Sequence, residues 1–199
     1  MTNWFPNNTE LPGQAGTRLY WSEMGSPIGP LLLAATGRGL CCLEFGSWAD
    51  AGKQLAQWSA RWTGMEEIVR DDAPVRPYRE RLEAYFAGEK VSFDLPLDVY
   101  GTPFQRMVWQ SLRRIPYGQT RSYKDIAADI GRPKAVRAVG GANNRNPLPI
   151  VIPCHRVIGA GGAMVGYGGG VGIKVRLLEL ERRAAGTPAL HCAPGADVL

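Results

Sequence analysis

The residues most able to do chemistry lie between Asn146 and Ile158, a stretch that reads Asn-Pro-Leu-Pro-Ile-Val-Ile-Pro-Cys-His-Arg-Val-Ile. Its thiol, Cys154, is followed directly by the imidazole of His155 and the guanidinium of Arg156. Cationic neighbours lower a thiol's pKa and raise its thiolate fraction, so Cys154 reads as an activated nucleophile. The competing reading is the ordinary one, in which a lone cysteine is a small core hydrophobe. Three prolines fix the backbone before the thiol and remove amide donors. Between them the apolar run 150–152 reads as a short buried strand. A second candidate is Glu181, four residues after Leu177 and on the same apolar stripe of a predicted helix. A carboxylate facing inward needs a partner. Two options stay open: an ion pair with an arginine, or an active-site group.

Other chemistries find less support. A zinc site needs clustered His and Cys ligands. The only histidines are His155 and His191, and Cys41, Cys42, Cys154 and Cys192 show neither metal-ligand nor disulfide spacing. No metal or other cofactor is expected, and the cysteines are expected to be reduced. The glycine-dense loop 159–172 is not a phosphate-binding loop, because no Gly-Lys-Ser/Thr follows it. So much glycine implies a backbone that turns sharply or approaches something flat, and Tyr167 is its single aromatic. The net charge of +5 has the right sign for a nucleic-acid partner but serves only to rank readings raised by the motifs. No run approaches the roughly 18 apolar residues of a membrane helix. The polar N-terminus lacks the basic and apolar regions of a secretory signal, so a cytoplasmic protein without membrane contact is expected.

The elements that must position these groups follow in order. Residues 1–16 read as a loose arm. Strand patterns at 18–22, 30–36 and 40–45, with a Gly37-Arg38-Gly39 turn, predict an antiparallel sheet with at least one of Cys41 and Cys42 in the core. Leu55, Trp58 and Trp62, then Tyr78, Leu82, Tyr85 and Phe86, fall at helical spacing, with Gly88 as a stop. Residues 91–95 suggest a further strand. This first unit, 17–97, shows no chemistry.

A boundary is expected near 97–101, where Thr102-Pro103-Phe104-Gln105 gives an N-cap, a first-turn proline and a capping-box glutamine. Phe104, Val108, Leu112 and Ile115 line one face of the helix that follows. Ser122 caps the next helix with Asp125 three residues on, Gly131 stops it, and Pro133 opens another over 134–142. Two short helices joined by a tight turn, with Arg132, Lys134 and Arg137 around the second, make a helix-turn-helix candidate. The small residues of that second helix permit close approach to a groove wall or, equally, to another helix. Polar residues 143–146 form its exit, able to meet phosphate. A last helix over 173–184 carries Ile173, Leu177, Leu180 and Ala184 on one stripe. A second unit thus spans 98–185, and 186–199 reads as a flexible tail.

Pro-Cys-His-Arg preceded by Asn-Pro-Leu-Pro-Ile resembles the active-site signature of the O6-alkylguanine-DNA alkyltransferases, the methylated-DNA-protein-cysteine methyltransferases. The likeness extends from about Thr102 to Glu181 and covers the first half only in outline. It implies an α+β fold: a ribonuclease-H-like N-terminal domain with an antiparallel sheet, then a mainly helical, winged-helix-like domain with the helix-turn-helix. It implies Cys154 as nucleophile, His155 as water-relaying base, Glu181 as its orienting group, and Asn146 as the brace of the turn before the thiol. Tyr123 falls over the base, and Arg137 enters the duplex in place of the flipped nucleotide. Pro149 is the pocket wall, Tyr167 the loop aromatic, and the carbonyls of Cys154 and Val157 read the guanine amino group. The amide of Gly168 faces the guanine oxygen. Val165 departs from the family pattern, which has a small or hydroxyl-bearing residue there, and puts substrate range in question.

The activity implied is irreversible transfer of an alkyl group from O6-alkylguanine, and from O4-alkylthymine, to Cys154. The partner is double-stranded DNA with alkylated bases, approached through the minor groove by a monomer, with Arg132, Lys134 and Arg145 on phosphates. Adjacent side chains of an extended segment face opposite ways, so a water would bridge Cys154 and His155. Two other readings compete: a binding-only relative, whose members lack the cysteine, and an unrelated Cys-His hydrolase, which requires turnover.

Overall fold

The computed structural model describes residues 18–65 and 67–186; the arm at 1–16 and the tail beyond Gly186 lie outside it. The chain begins with β1 (Arg18–Met24), β2 (Leu31–Thr36) and β3 (Gly39–Phe45), an antiparallel meander as the patterns predicted. β4 (Glu67–Arg70), which the sequence did not announce, adds to β1 in parallel, giving the order β3-β2-β1-β4. Its side chains are only partly covered, as suits a short edge strand. Residues 91–95 form no strand, contrary to expectation; they run irregularly along the surface.

β2 is buried along its whole length, and its alternating side chains feed two cores. Leu32 and Ala34 pack with Ala51 and Leu55 of α1 (Trp48–Trp62), together with Cys41 and Cys42. Leu31, Leu33 and Ala35 join Tyr78, Leu82 and Tyr85 of α2 (Arg76–Phe86). The period of two along a strand makes this division. Both cysteines are buried where the β2–β3 register slips between Ala34 and Ala35.

The second of these cores does not stop at the end of the first half. It runs on through Val108 and Leu112 of α3 (Pro103–Arg113), Val139 of α5 (Val136–Asn144) and Leu177 of α6 (Val171–Ala185). α3 starts as its sequence indicates, with Thr102 and Gln105 capping each other. Trp109 donates its ring N–H to the Ala142 carbonyl at 2.8 Å, fastening α3 to the end of α5. Ser122 and Asp125 form the same reciprocal cap on α4 (Tyr123–Asp129). α5 begins two residues later than expected, and Pro133 lies in the turn before it rather than in its first turn. β5 (Arg121–Ser122) pairs in parallel with β6 (Val157–Ile158). That short pairing sets the start of α4 beside the segment that bears the thiol.

Candidate active site

The apolar run before the thiol is buried but is not a strand. Residues 149–152 make a tight turn in which Ile150 has φ 73°. A β-branched residue in the left-handed region is strained, at a cost on the order of 1–3 kcal/mol, and persists only where its surroundings impose it. Asn146 supplies much of that constraint. Its Nδ2 donates to the Ile152 carbonyl at 2.7 Å, and its Oδ1 accepts the Leu148 amide at 3.0 Å.

The chain then enters a 3-10 turn, Cys154–Arg156, instead of the extended segment expected. Sequence neighbours are therefore dealt to different places. The Arg156 guanidinium does not serve the thiol: its Nε donates to Glu181 Oε2 and its Nη2 to Oε1, each at 2.9 Å, and its Nη1 to the Ile115 carbonyl at 2.7 Å. His155 Nε2 meets Glu181 Oε1 at 2.8 Å, both side chains fully buried. The arginine pair left open for Glu181 is present, and the same carboxylate also meets His155. Burial alone would raise its carboxyl, but hydrogen bonds and charge from His155 and Arg156 outweigh burial and hold it well below the carboxylate range. An ionised carboxylate can only accept, so Nε2 carries the proton and Nδ1 is the basic atom. Nδ1 is buried and has no hydrogen-bond partner among the described residues. Burial, aided by Arg156 and Lys174, lowers the imidazole's pKa despite Glu181, so the ring is neutral and able to take a proton.

The expected lowering of the thiol pKa is not found. Burial pushes Cys154 up to about 11, and Asn146, Lys174 and Tyr167 only partly counter it. At neutral pH roughly one thiol in ten thousand is ionised on that value. The proton must therefore leave in the course of the reaction. The cation nearest in effect is Lys174, which the sequence did not single out. α6 buries Lys174, Leu177, Leu178 and Glu181, a face rotated from the predicted stripe. The i, i+7 pair of Lys174 and Glu181 was the available signal. Lys174 Nζ donates to the carbonyls of Val157 at 2.6 Å and Val165 at 3.0 Å, and burial lowers its pKa to about 8. The Val157 carbonyl thus already holds one donor.

In front of the thiol lies a groove of about 890 Å³. Cys154, Asn146, Pro149, Tyr167 and Gly168 line it, with Arg137 and Arg145 at its α5 side. His155 and Glu181 sit behind it. Tyr167 is buried beside the thiol and tilted against Phe45. The flat thing that the glycine loop approaches is this Phe45 ring: a Cβ on Gly169 would come within 2.8 Å of it. Tyr123 lies against Gly140 of α5, half-buried, its hydroxyl pKa raised by burial and by Cys154. Val165 points outward, 42% exposed. Arg132 and Lys134 stand outside the groove, in the turn before α5; with Arg137 they are exposed and form no side-chain hydrogen bond or ion pair among the described residues. Arg145 reaches back to the Gly141 carbonyl at 3.3 Å. Among the described residues no cluster of His, Cys, Asp and Glu could hold a metal ion, and no helix is long and apolar enough to cross a membrane.

Fold and site together define a two-part α+β protein with a buried cysteine set below a helix-turn-helix and backed by an imidazole-carboxylate pair. The family model for the ribonuclease-like domain of 6-O-methylguanine DNA methyltransferase matches residues 19–99, and that for its DNA binding domain matches residues 103–183. The chain is 49% identical over 163 residues to the methylated-DNA–protein-cysteine methyltransferase of Methanosarcina barkeri, covering 82% of this chain and 97% of the relative. It is 46% identical to that of Mycobacterium leprae over 82% of this chain and 93% of the relative. The crystal structure of Mycobacterium tuberculosis OGT in complex with DNA is similar with a TM-score of 0.71 and 44% identity, over 86% of this chain and 96% of that one. The chain belongs to the 6-O-methylguanine DNA methyltransferase family.

Proposed function

We propose that this protein repairs DNA by taking the alkyl group of O6-alkylguanine, and of O4-alkylthymine, onto Cys154, once per molecule. The observation that carries the reading is a buried thiol on a groove beside α5, with a neutral His155 whose tautomer Glu181 fixes. Sulfur attacks the alkyl carbon; the S–C bond forms as the C–O6 bond breaks and guanine leaves with the electron pair. The thiol proton passes through a water to His155 Nδ1, and in net one proton reaches the guanine ring. Tyr123, near the thiol, donates to a ring nitrogen as negative charge develops. The thioether is stable, so the protein is spent after one transfer.

The damaged base must leave the duplex stack, at a cost on the order of a few kcal/mol. Arg137, exposed at the start of α5, fills the gap, which sets α5 in the minor groove, where a degenerate base pattern suits a search without sequence preference. Arg132, Lys134 and Arg145 contact phosphates. Pro149, Tyr167 and the Gly168 amide enclose the flipped base, and the carbonyls of Cys154 and Val157 accept from its amino group. The working form is a monomer with two domains, 17–97 and 98–185, in the reducing cytoplasm that a catalytic thiol requires.

Mass spectrometry after incubation with an O6-methylguanine duplex tests this. One methyl per molecule, on Cys154, is expected; repeated turnover at substoichiometric protein overturns the reading.

A further inference from the structure

The first half of the chain shows no chemistry in its sequence, yet one of its side chains reaches the buried carboxylate. Tyr85, on α2, donates its hydroxyl to Glu181 Oε1 at 2.8 Å. That oxygen also receives His155 Nε2 at 2.8 Å and Arg156 Nη2 at 2.9 Å. Oε2 receives Arg156 Nε at 2.9 Å and the Gly118 amide at 3.1 Å. Gly118, at φ 75°, approaches α6 so closely that a Cβ would come within 2.8 Å of Ala185. Tyr85 is 1% exposed, its ring edge-on to both Phe86 and Tyr117. Burial and the Glu181 carboxylate raise its pKa well above that of an ordinary phenol, so it keeps the proton it donates to Glu181.

We infer that Tyr85 is a positioning residue for alkyl transfer: it holds Glu181 Oε1 on His155 and so ties the relay to the packing of the first half of the chain. The inference rests on the Cys154–His155–Glu181 relay proposed above. Among the described residues, every other donor to the carboxylate comes from the second half. Arg156 grips both oxygens and sets the plane of the carboxylate, but it equally draws Oε1 towards itself and away from the imidazole. Tyr85 donates to the same oxygen from α2 and adds a hold on it that is independent of Arg156. Without its hydroxyl, the fork of Arg156 decides where Oε1 rests, and the imidazole loses the fixed acceptor that keeps its proton on Nε2. The effect is on geometry, since Tyr85 touches neither base nor thiol.

The test is a double-mutant cycle on Tyr85→Phe and Glu181→Gln, using a free O6-alkylguanine base as substrate so that DNA binding and base flipping drop out. Rates are taken well below each variant's melting temperature. Tyr85→Phe is expected to slow transfer by roughly tenfold, about what one hydrogen bond to a charged group contributes. In the Glu181→Gln background it should add no further loss. The His155 ring N–H proton resonance should also move in Tyr85→Phe. Tyr85→Leu, which removes the ring too, should show the same dependence on Glu181. A wild-type rate in Tyr85→Phe, or an equal loss in both backgrounds, makes Tyr85 a packing residue and overturns the inference. If Glu181→Gln itself reacts at the wild-type rate, the relay reading fails, and the inference with it.

Discussion

His155 Nε2 and Glu181 Oε1 stand 2.8 Å apart with neither side chain exposed to solvent. A buried ion is tolerated when it is paired and its remaining lone pairs are filled, and here Arg156, Tyr85 and Gly118 complete the carboxylate. Removing the charge while leaving the shape should therefore be costly. Glu181→Gln leaves the Arg156 guanidinium enclosed without a counter-charge, and a loss of about 3–5 kcal/mol is expected in denaturant unfolding. A loss under 1 kcal/mol would show that Arg156 swings out to solvent, and the carboxylate would then matter for chemistry alone.

The parts of this site that lay on helical or capping patterns were legible in the sequence. Thr102, Ser122 and the inward Glu181 each follow from a local rule, spacing or cap, and each stands where that rule puts it. Cys154 and His155 were legible as reactive types. What failed was inference from adjacency. Arg156 follows the thiol by two residues, but a 3-10 turn sends it to Glu181, and burial raises the thiol pKa instead of lowering it. Tyr85 and Lys174 were hidden for a different reason. One comes from 96 residues before Glu181, and the other is a charged residue within an apolar stripe, so only three-dimensional packing brings them to the site.

Acid should unfold the protein in two stages. The folded pKa of His155 lies below its ordinary value, so the unfolded state binds that proton more readily, and stability is lost as pH falls below about 6.5. Glu181 is also depressed; its contribution is full above about 4.3, the ordinary value of the unfolded chain, and drains as pH falls further. Melting temperatures between pH 8 and 3 should be flat, then dip near 6, then fall steeply below 4. In His155→Gln the upper dip should vanish. Alkyl transfer should persist to lower pH than the onset of that stability loss, falling only as pH passes the depressed pKa of folded His155, where protonation of Nδ1 removes the base.

Lys174 binds two carbonyls, that of Val157 just before the glycine loop and that of Val165 within it. Lys174→Met keeps most of the volume but leaves both carbonyls without that donor, at about 1–3 kcal/mol each where they remain buried. It also removes the cation that most favours the thiolate by charge. Faster proteolysis within 159–170 and slower alkylation of Cys154, by free base and duplex alike, are the expected outcomes. Unchanged loop protection with slow alkylation would assign Lys174 to the thiol alone.

Four cations lie on or near α5, and they should separate in one experiment. Arg132, Lys134 and Arg145 are proposed to neutralise phosphates, and each such contact contributes about 0.9 to the slope of log affinity against log salt. Arg132→Ala and Lys134→Ala should each flatten that slope by roughly one unit while leaving the reaction with a free alkylguanine base untouched. Arg145, already bonded to the Gly141 carbonyl, should contribute less. Arg137 is assigned a different task, filling the stack behind a flipped base. Arg137→Ala should slow repair of duplex far more than reaction with the free base, because only the duplex requires extrusion. Total slopes of roughly −2 to −5, with little preference among undamaged sequences, are expected for such a surface in the minor groove. Equal slowing of Arg137→Ala on duplex and free base would return that residue to a structural role. A strong preference for one undamaged sequence would instead place α5 in a major groove as a reader of bases.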